Sequence, residues 1–464
     1  MKGLDLRPGL RVGRLVGMVR SLLPAGGRPT RAVLSGFAGA VAVGTVVLKL
    51  PVATESGEST EWLTALFTAT SAVCVTGLYV VDTPQHWSTF GEVAIMVLFQ
   101  AGGLGIMTLA SLLGLLMTHR LGMRMQLTAQ TETKSFGAGD VRRVVVGVVK
   151  ISLAFEVVLA TVLTARLMFG YDMAFGEATY SGVFHAVSAF NNAGFSIYSD
   201  SLMRFVGDPW ISLPVAAAII VGGIGFPVIF ELARRTYPPR RWSLHTKITL
   251  LTTGVLLVIG FVFVVGTEWN NPDTMGPLGV GAKLLSGFFQ SVTSRTAGFN
   301  TLDTGELEPG TLLVTDVLMF IGGGSAGTAG GIKVTTFALL AFVIFAEMRG
   351  EPSVHVMRRR LPAALQRQAL TIALLGVGLV MSATIALLNL TDHDLDHVLF
   401  EVISAFGTVG LSTGITDELG QSGTLILVGL MFVGRLGPVT AAAALALRDR
   451  PRKYEVPEEH AIVG

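Results

Sequence analysis

Four short segments decide the fold: SAVCVTGL (71–78), SAFNNAGF (188–195), VTSRTAGF (292–299) and SAFGTVGL (404–411). Each ends an apolar stretch that is too short to cross a membrane. Their glycines recur at intervals of roughly 110 residues, which indicates an internal repeat. Five or six residues beyond each glycine stand small polar residues: Asp82 and Thr83, Ser199 and Asp200, Asp303 and Thr304, and Thr416.

A second glycine cluster follows each of these segments. GGLG (102–105), GGIG (222–225), GGG (322–324) and GRLG (434–437) lie inside apolar runs, 24 to 28 residues beyond the first glycines. The two glycine clusters recur together, at nearly the same spacing, in four places. This predicts four repeats, each consisting of a helix, a re-entrant half-helix with its loop, and a second helix. Because each unit crosses the membrane twice, the repeats are parallel and can surround one pore.

Composition places the chain in a membrane. Of the 464 residues 51% are hydrophobic and 14% are charged, against about 25% charged residues in an ordinary globular protein. We expect an all-α integral membrane protein with eight transmembrane helices and four half-helices around one pore. The predicted spans are 32–48, 93–118, 151–165, 210–230, 248–267, 317–346, 369–391 and 425–447, of which 93–118, 210–230, 248–267 and 369–391 are uninterrupted by charge.

Charge sidedness sets the expected topology. Lys and Arg cluster before the first span and after every even-numbered span, whereas Asp and Glu cluster in the other loops. Under the positive-inside rule both termini are cytoplasmic, in a multi-pass protein of the plasma membrane. The basic residues form no contiguous surface, which argues against a nucleic-acid partner. The predicted units are a basic N-terminus (1–30), repeats 31–118, 141–230, 246–346 and 369–447, and a C-terminal tail (448–464).

The recurring chemistry of the four loops belongs to the backbone. Side chains at equivalent places differ, as Cys74, Asn191, Arg295 and Gly407 show, while the glycines recur. Glycine adopts positive φ at little cost and can turn successive carbonyls toward the axis, where they replace a cation's hydration shell. The predicted selectivity filter is Val73, Cys74, Val75, Thr76, Gly77, Asn191, Asn192, Ala193, Gly194, Arg295, Thr296, Ala297, Gly298, Gly407, Thr408, Val409 and Gly410.

A gate is predicted in the sixth span. Each interior glycine costs a helix about 1 kcal/mol against alanine, so the glycine-rich run there should be a loop inside the bundle. Arg435 lies at the matching depth of the eighth span and offers five donors to carbonyls of that loop. The predicted gate comprises Gly322, Gly323, Gly324, Ser325, Gly327, Thr328, Gly330, Gly331, Lys333 and Arg435.

The motifs SAVCVTGL, NNAGF, SRTAGFNT and GTVGLST, with GGGSAGTAGGIKVTT in the sixth span, resemble the Trk/Ktr/HKT superfamily of potassium transporters. Eight spans and the short ending make the chain most similar to the KtrB membrane subunits. The resemblance implies uptake of K⁺, with Na⁺ as a candidate activator and no organic cofactor. It also implies a homodimer with one pore per protomer, surrounded by membrane lipid, and a cytosolic KtrA-type nucleotide-binding ring.

Two other functions stay open beside potassium uptake. Each loop has one recurring glycine where a dedicated potassium channel has two around a tyrosine, so a less selective sodium/potassium transporter of the same superfamily is one alternative. A substrate carrier with discontinuous helices is the other, although such carriers usually break two helices and not four. A membrane enzyme is not expected, because the chain has no HExxH motif and no intramembrane pair of aspartates.

Overall fold

The computed structural model describes residues 28–125, 138–233, 239–357 and 359–447. The predicted C-terminal tail and nearly all of the predicted basic N-terminus lie outside these residues. The described chain is helical apart from its loops and a two-stranded hairpin, in agreement with the predicted all-α class.

The helices follow the fourfold repeat. The first repeat contains α1 (Arg28–Leu48), α2 (Trp62–Cys74), α3 (Thr83–His86) and α4 (Thr89–Met125), and the second contains α5 (Ala138–Tyr171), α6 (Phe175–Asn191), α7 (Pro209–Ile224) and α8 (Phe226–Ala233). The third contains α9 (Leu244–Glu268), α10 (Val280–Thr293), α11 (Pro309–Phe320) and α12 (Val334–Met348), and the fourth contains α13 (Ala363–Leu388), α14 (Leu395–Gly407) and α15 (Gly420–Leu447). Single 3-10 turns occur at Pro51–Ala53, Met203–Phe205 and Pro239–Arg241. Strands β1 (His355–Val356) and β2 (Arg359–Arg360) pair antiparallel between α12 and α13.

The four predicted half-helices are confirmed as α2, α6, α10 and α14, which are 13, 17, 14 and 13 residues long. Within the described residues, four helices are long and apolar enough to cross a membrane. These four are Thr89–Thr108, Val145–Tyr171, Leu244–Glu268 and Ala363–Leu388. The third span runs beyond the predicted end at residue 165. Its helix can continue because Arg166 Nε forms an ion pair with Asp208 Oδ2 at 2.7 Å, which neutralises the charge.

The fourth span corrects the sequence prediction. Residues 210–230 are predicted as one charge-free transmembrane helix, but α7 and α8 meet at a bend of 103°. Gly225 lies at the bend with φ of +95°, and a Cβ there would overlap the carbonyl oxygen of Ser325. The backbone groups released by the bend bond to the third repeat, since Gly324 N–H donates to Gly223 O at 2.7 Å and Phe226 N–H donates to Ala326 O at 3.3 Å. Two helices of different repeats thus break at one place and satisfy each other.

Glycines of the second cluster let helices approach the half-helices closely. A Cβ on Gly102, Gly222 or Gly434 would overlap a carbonyl oxygen, that of Val73, Phe190 and Phe406 respectively. These three carbonyls occupy equivalent places, four residues before the filter glycines. Gly322 departs from this pattern because the chain has left the helix there, and it packs instead against Gly330.

We expect Gly434→Ala to lower the stability of the folded protein, because overpacking against a backbone carbonyl costs roughly 1 to 3 kcal/mol. Gly429→Ala, in the same helix but with open space at its Cβ position, is the matched control. It should be neutral or stabilising through helix propensity. Thermal unfolding of detergent-solubilised protein distinguishes the two, and equal midpoints would contradict the packing role.

Candidate ion-selectivity filter and gate

Three of the half-helices end in the same turn. Val75, Asn192 and Thr408 have φ of +57°, +58° and +49° and cap α2, α6 and α14 in the left-handed conformation. The next N–H returns to a carbonyl five residues earlier, as Thr76 does to Ser71 at 2.7 Å. This is the Schellman geometry, which ends a helix and turns the following backbone sharply. The negative ends of these helices therefore face the loops.

The third half-helix ends differently. Ser294, which caps α10, stays right-handed with φ of −56°, and the left-handed residue is Thr296. Ala297 N–H accordingly bonds to Thr293 O, four residues earlier, at 2.9 Å. From Thr296 onward the loop has the same register as the other three.

One hydroxyl in each repeat connects the loop to its half-helix. The sequence motifs quoted above contain these residues, but their role was not predicted. Ser71 Oγ accepts from Gly77 N–H at 3.1 Å and donates to Leu78 O at 2.7 Å. Ser188 and Thr293 donate to Phe195 O and Phe299 O, and Ser404 accepts from Gly410 N–H at 3.1 Å. The filter backbone is thus fixed by buried hydroxyls.

The four filter glycines form a closed ring. All have positive φ, at +90°, +71°, +79° and +94° for Gly77, Gly194, Gly298 and Gly410. A Cβ on any of them would meet the carbonyl oxygen of the next loop. These oxygens belong, in turn, to Ala193, Ala297, Val409 and Thr76. The order of contacts runs through the repeats as 1, 2, 3, 4 and back to 1, so backbone surrounds the axis on all sides.

A vestibule of about 410 Å³ adjoins one side of the ring, lined by Gly194, Gly298 and Gly410. The small polar residues predicted beyond the glycines all line it as well: Asp82, Thr83, Ser199, Asp200, Asp303, Thr304 and Thr416. Asp417, which the sequence analysis missed, gives the fourth repeat its carboxylate. Burial raises the pKa of the Tyr79 hydroxyl, and Asp82, Glu401 and Asp417 raise it further by charge. The vestibule thus presents negative potential, which attracts cations.

Some predicted filter side chains lie away from the ring. Cys74 is fully buried in an apolar cluster. Asn191 donates to Val187 O at 2.9 Å and also contacts Gln100 and Glu156. Arg295 donates to Thr253 O at 3.2 Å and to Gly322 O at 3.4 Å. In the first three repeats the residue before the left-handed turn therefore contacts the scaffold through its side chain, and the backbone beyond the turn reaches the ring.

The glycine loop (residues 321–333) lies on the side of the ring opposite the vestibule. Thr328 N–H donates to Gly222 O at 3.1 Å. A Cβ on Gly330 would overlap the Thr408 hydroxyl and come within 2.7 Å of Gly407 O. Because Gly407 and Thr408 precede the filter glycine, the loop packs beneath the filter between the second and fourth repeats.

Two cations hold the glycine loop. Arg435, which is 2% exposed, donates through Nη1 to Thr328 O, as the sequence predicts. Lys333 Nζ donates to Ala329 O at 2.5 Å and to Gly330 O at 3.3 Å. Charge-assisted bonds to carbonyls are stronger than neutral ones, so these bonds fix the loop in its place beneath the ring. Within the described residues there is no group of three or more His, Cys, Asp or Glu that could hold a metal ion.

Comparison with known proteins gives matches over most of the chain. The family model for TrkH, described as cation transport protein, matches residues 31–451. Over 427 residues the chain is 40% identical to the Ktr system potassium uptake protein B of Bacillus subtilis, covering 91% of this chain and 94% of that protein. It is 33% identical over 443 residues to the potassium/sodium uptake protein NtpJ of Enterococcus hirae, covering 94% and 97%.

The fold is also that of a solved structure. The potassium transporter TrkH from Vibrio parahaemolyticus superposes with a TM-score of 0.70 at 16% identity, covering 89% of this chain and 83% of that one. At this sequence identity the structural similarity shows the fold alone.

Proposed function

The chain belongs to the TrkH family of cation transport proteins, and we propose that it is the ion-conducting subunit of a potassium uptake system. The observation that carries this proposal is the closed ring of Gly77, Gly194, Gly298 and Gly410. It offers backbone oxygen from four sides, which is how a protein replaces the water around a cation.

The electrostatics favour a cation throughout. A carboxylate from each repeat lines the vestibule, and the half-helices direct their negative ends toward the loops. An anion would meet repulsion at both places. The ion enters from the vestibule, loses its water within the ring and passes on toward the glycine loop.

Potassium is the transported ion in this proposal. Relatives at 40% identity are named potassium uptake proteins, and one at 33% is named a potassium/sodium uptake protein. Sodium therefore enters as a candidate activator or a less favoured competitor. In this proposal the vestibule faces outside and both termini face the cytoplasm, which the positions of the basic loops support.

The glycine loop acts as the gate of this pore. Its contacts with Gly222, Thr408 and Arg435 support this role, because an ion that leaves the ring on this side would meet the loop. A cytosolic KtrA-type nucleotide-binding ring moves the loop by pulling on α12, which follows Lys333 directly. The name Ktr system of the relatives supports an assembly with other subunits, and we propose a homodimer with one pore in each protomer.

Growth on limiting potassium tests the proposed function. A bacterial strain without its own potassium uptake should grow at low potassium when it expresses this chain with a KtrA-type partner. The same strain expressing Gly298→Ala is the control for a pore whose filter is disturbed. If the parent chain supports no growth while it is present in the membrane, the potassium function is wrong.

A further inference from the structure

Two of the four loops carry an additional support behind the filter, formed by equivalent positions. In each case a half-helix residue nine positions before the filter glycine contacts a serine two positions after it. The pairs are His185 with Ser196 in the second repeat and Glu401 with Ser412 in the fourth. We call each pair a brace.

The second-repeat brace has a defined hydrogen-bond direction. His185, which is 3% exposed, lies with Nδ1 2.8 Å from Ser181 O, an atom that only accepts, so Nδ1 carries the proton. Nε2 is then an acceptor, and Ser196 Oγ donates to it at 2.9 Å. The Tyr198 ring stacks on the imidazole, with 5.0 Å between the ring centroids, and this fixes the plane of the imidazole.

The fourth-repeat brace has the same form with a carboxylate. Glu401 is fully buried and accepts from Ser412 Oγ, from Thr416 Oγ1 at 2.9 Å and from Thr413 N–H at 3.0 Å. Both serines also accept from the N–H two residues later, that of Tyr198 at 3.0 Å and that of Gly414 at 2.9 Å. A shared local turn thus connects each half-helix to the backbone just beyond its filter glycine.

The other two repeats have no brace at these positions. Thr68 occupies the place in the first repeat, and its buried hydroxyl has no hydrogen-bond partner within the described residues. Phe289 occupies the place in the third repeat and has no polar atom to offer. Because the ring order is 1, 2, 3, 4, the two braced loops lie opposite each other across the axis.

We propose that His185 and Glu401 are positioning residues that set the ion selectivity of the pore by fixing one diagonal of the carbonyl ring. This rests on the proposed function. Removing a brace lets Gly194 or Gly410 shift outward, so the ring fits K⁺ less well and discriminates less against Na⁺. The carboxylate brace should have the larger effect, since hydrogen bonds to charged groups are stronger than those between neutral groups.

Competitive uptake of K⁺ and Na⁺ tests this, with Ser412→Ala and Ser196→Ala as variants that remove only a hydroxyl. We expect discrimination to fall about tenfold in Ser412→Ala and about threefold in Ser196→Ala. Ser412→Thr and Ser196→Thr keep the hydroxyl and should retain most of the parent's discrimination of K⁺ over Na⁺. His185→Phe keeps the ring that stacks on Tyr198 but lacks the acceptor, and should match Ser196→Ala.

Thr68→Val is the matched control, because it changes the position equivalent to His185 and Glu401, where the hydroxyl makes no bond within the described residues. It should discriminate like the parent. If a serine variant does not transport, the K⁺ and Na⁺ concentrations that stabilise the purified protein against heat give the same ratio. Parent-like discrimination in both serine variants, or an equal loss in Thr68→Val, would overturn the brace. A parent that takes up no potassium would instead refute the proposed function.

Discussion

Gly298→Ala is expected to reduce discrimination of K⁺ over Na⁺ by at least about tenfold. Gly298 has φ of +79°, and its added Cβ would overlap Val409 O and lie 3.0 Å from Gly194 Cα and 3.2 Å from Gly410 Cα. The left-handed conformation alone costs an L-residue roughly 1 to 2 kcal/mol, and about 1.4 kcal/mol is a factor of ten. Because the contacts reach both neighbouring loops, the strain spreads through the ring.

Gly57→Ala separates strain from ring contact. Gly57 also has positive φ, at +71°, but no atom of the part of the chain that the structure describes lies within 4 Å of its Cβ position. This variant bears the same conformational cost outside the pore and should keep the parent's discrimination in competitive uptake of the two ions. Equal loss in both variants would mean that instability, and not filter geometry, lowers selectivity.

Deleting Gly323 to Gly330 should raise potassium flux by about tenfold and make it independent of the cytosolic partner. The deletion removes Thr328, whose carbonyl accepts a hydrogen bond from Arg435. A charge-assisted hydrogen bond of this kind shifts the ratio of closed to open loop by on the order of tenfold. The ends of the deleted segment already lie together, since Ile321 and Ile332 form a parallel bridge and a Cβ on Gly322 would touch Gly330 O. Helices α11 and α12 can therefore keep their places.

Ser325→Ala is the control for the deletion. Although Ser325 belongs to the predicted gate, within the described residues its hydroxyl bonds to the Thr335 hydroxyl alone, at 3.1 Å, and not to Arg435, so flux should stay partner-dependent. Uptake into cells with and without the partner gives both quantities. A deletion variant that reaches the membrane intact but conducts no faster than the parent would show that the loop is not a gate.

The sequence predicted those parts of the structure that local conformation determines. Gly77, Gly194, Gly298 and Gly410 recur because each must take positive φ, and this requirement is visible in one chain as a repeat. The half-helices and the loop at 321–333 follow likewise from apolar length and from glycine content. Contacts of Arg435 with the loop were predicted because a buried guanidinium needs several acceptors.

Features that depend on distant residues were not predictable. The bend at Gly225 exists because residues 324–326, about 100 positions away, take over its hydrogen bonds. Cys74 and Arg295 were placed in the filter because they precede its glycines, but a turn of the backbone directs their side chains into the scaffold. The brace of Glu401 and Ser412 is invisible in sequence, since its two residues look like an isolated charge and an ordinary loop serine.

The central claim is that four unlike loops act as one ring of backbone oxygen. Competitive K⁺ and Na⁺ uptake by Gly77→Ala, Gly194→Ala, Gly298→Ala and Gly410→Ala, compared side by side, tests it most directly. Each added Cβ meets the neighbouring loop, so all four variants should lose discrimination by a similar factor despite their different side-chain surroundings. A variant among the four that reaches the membrane and discriminates like the parent would contradict the ring.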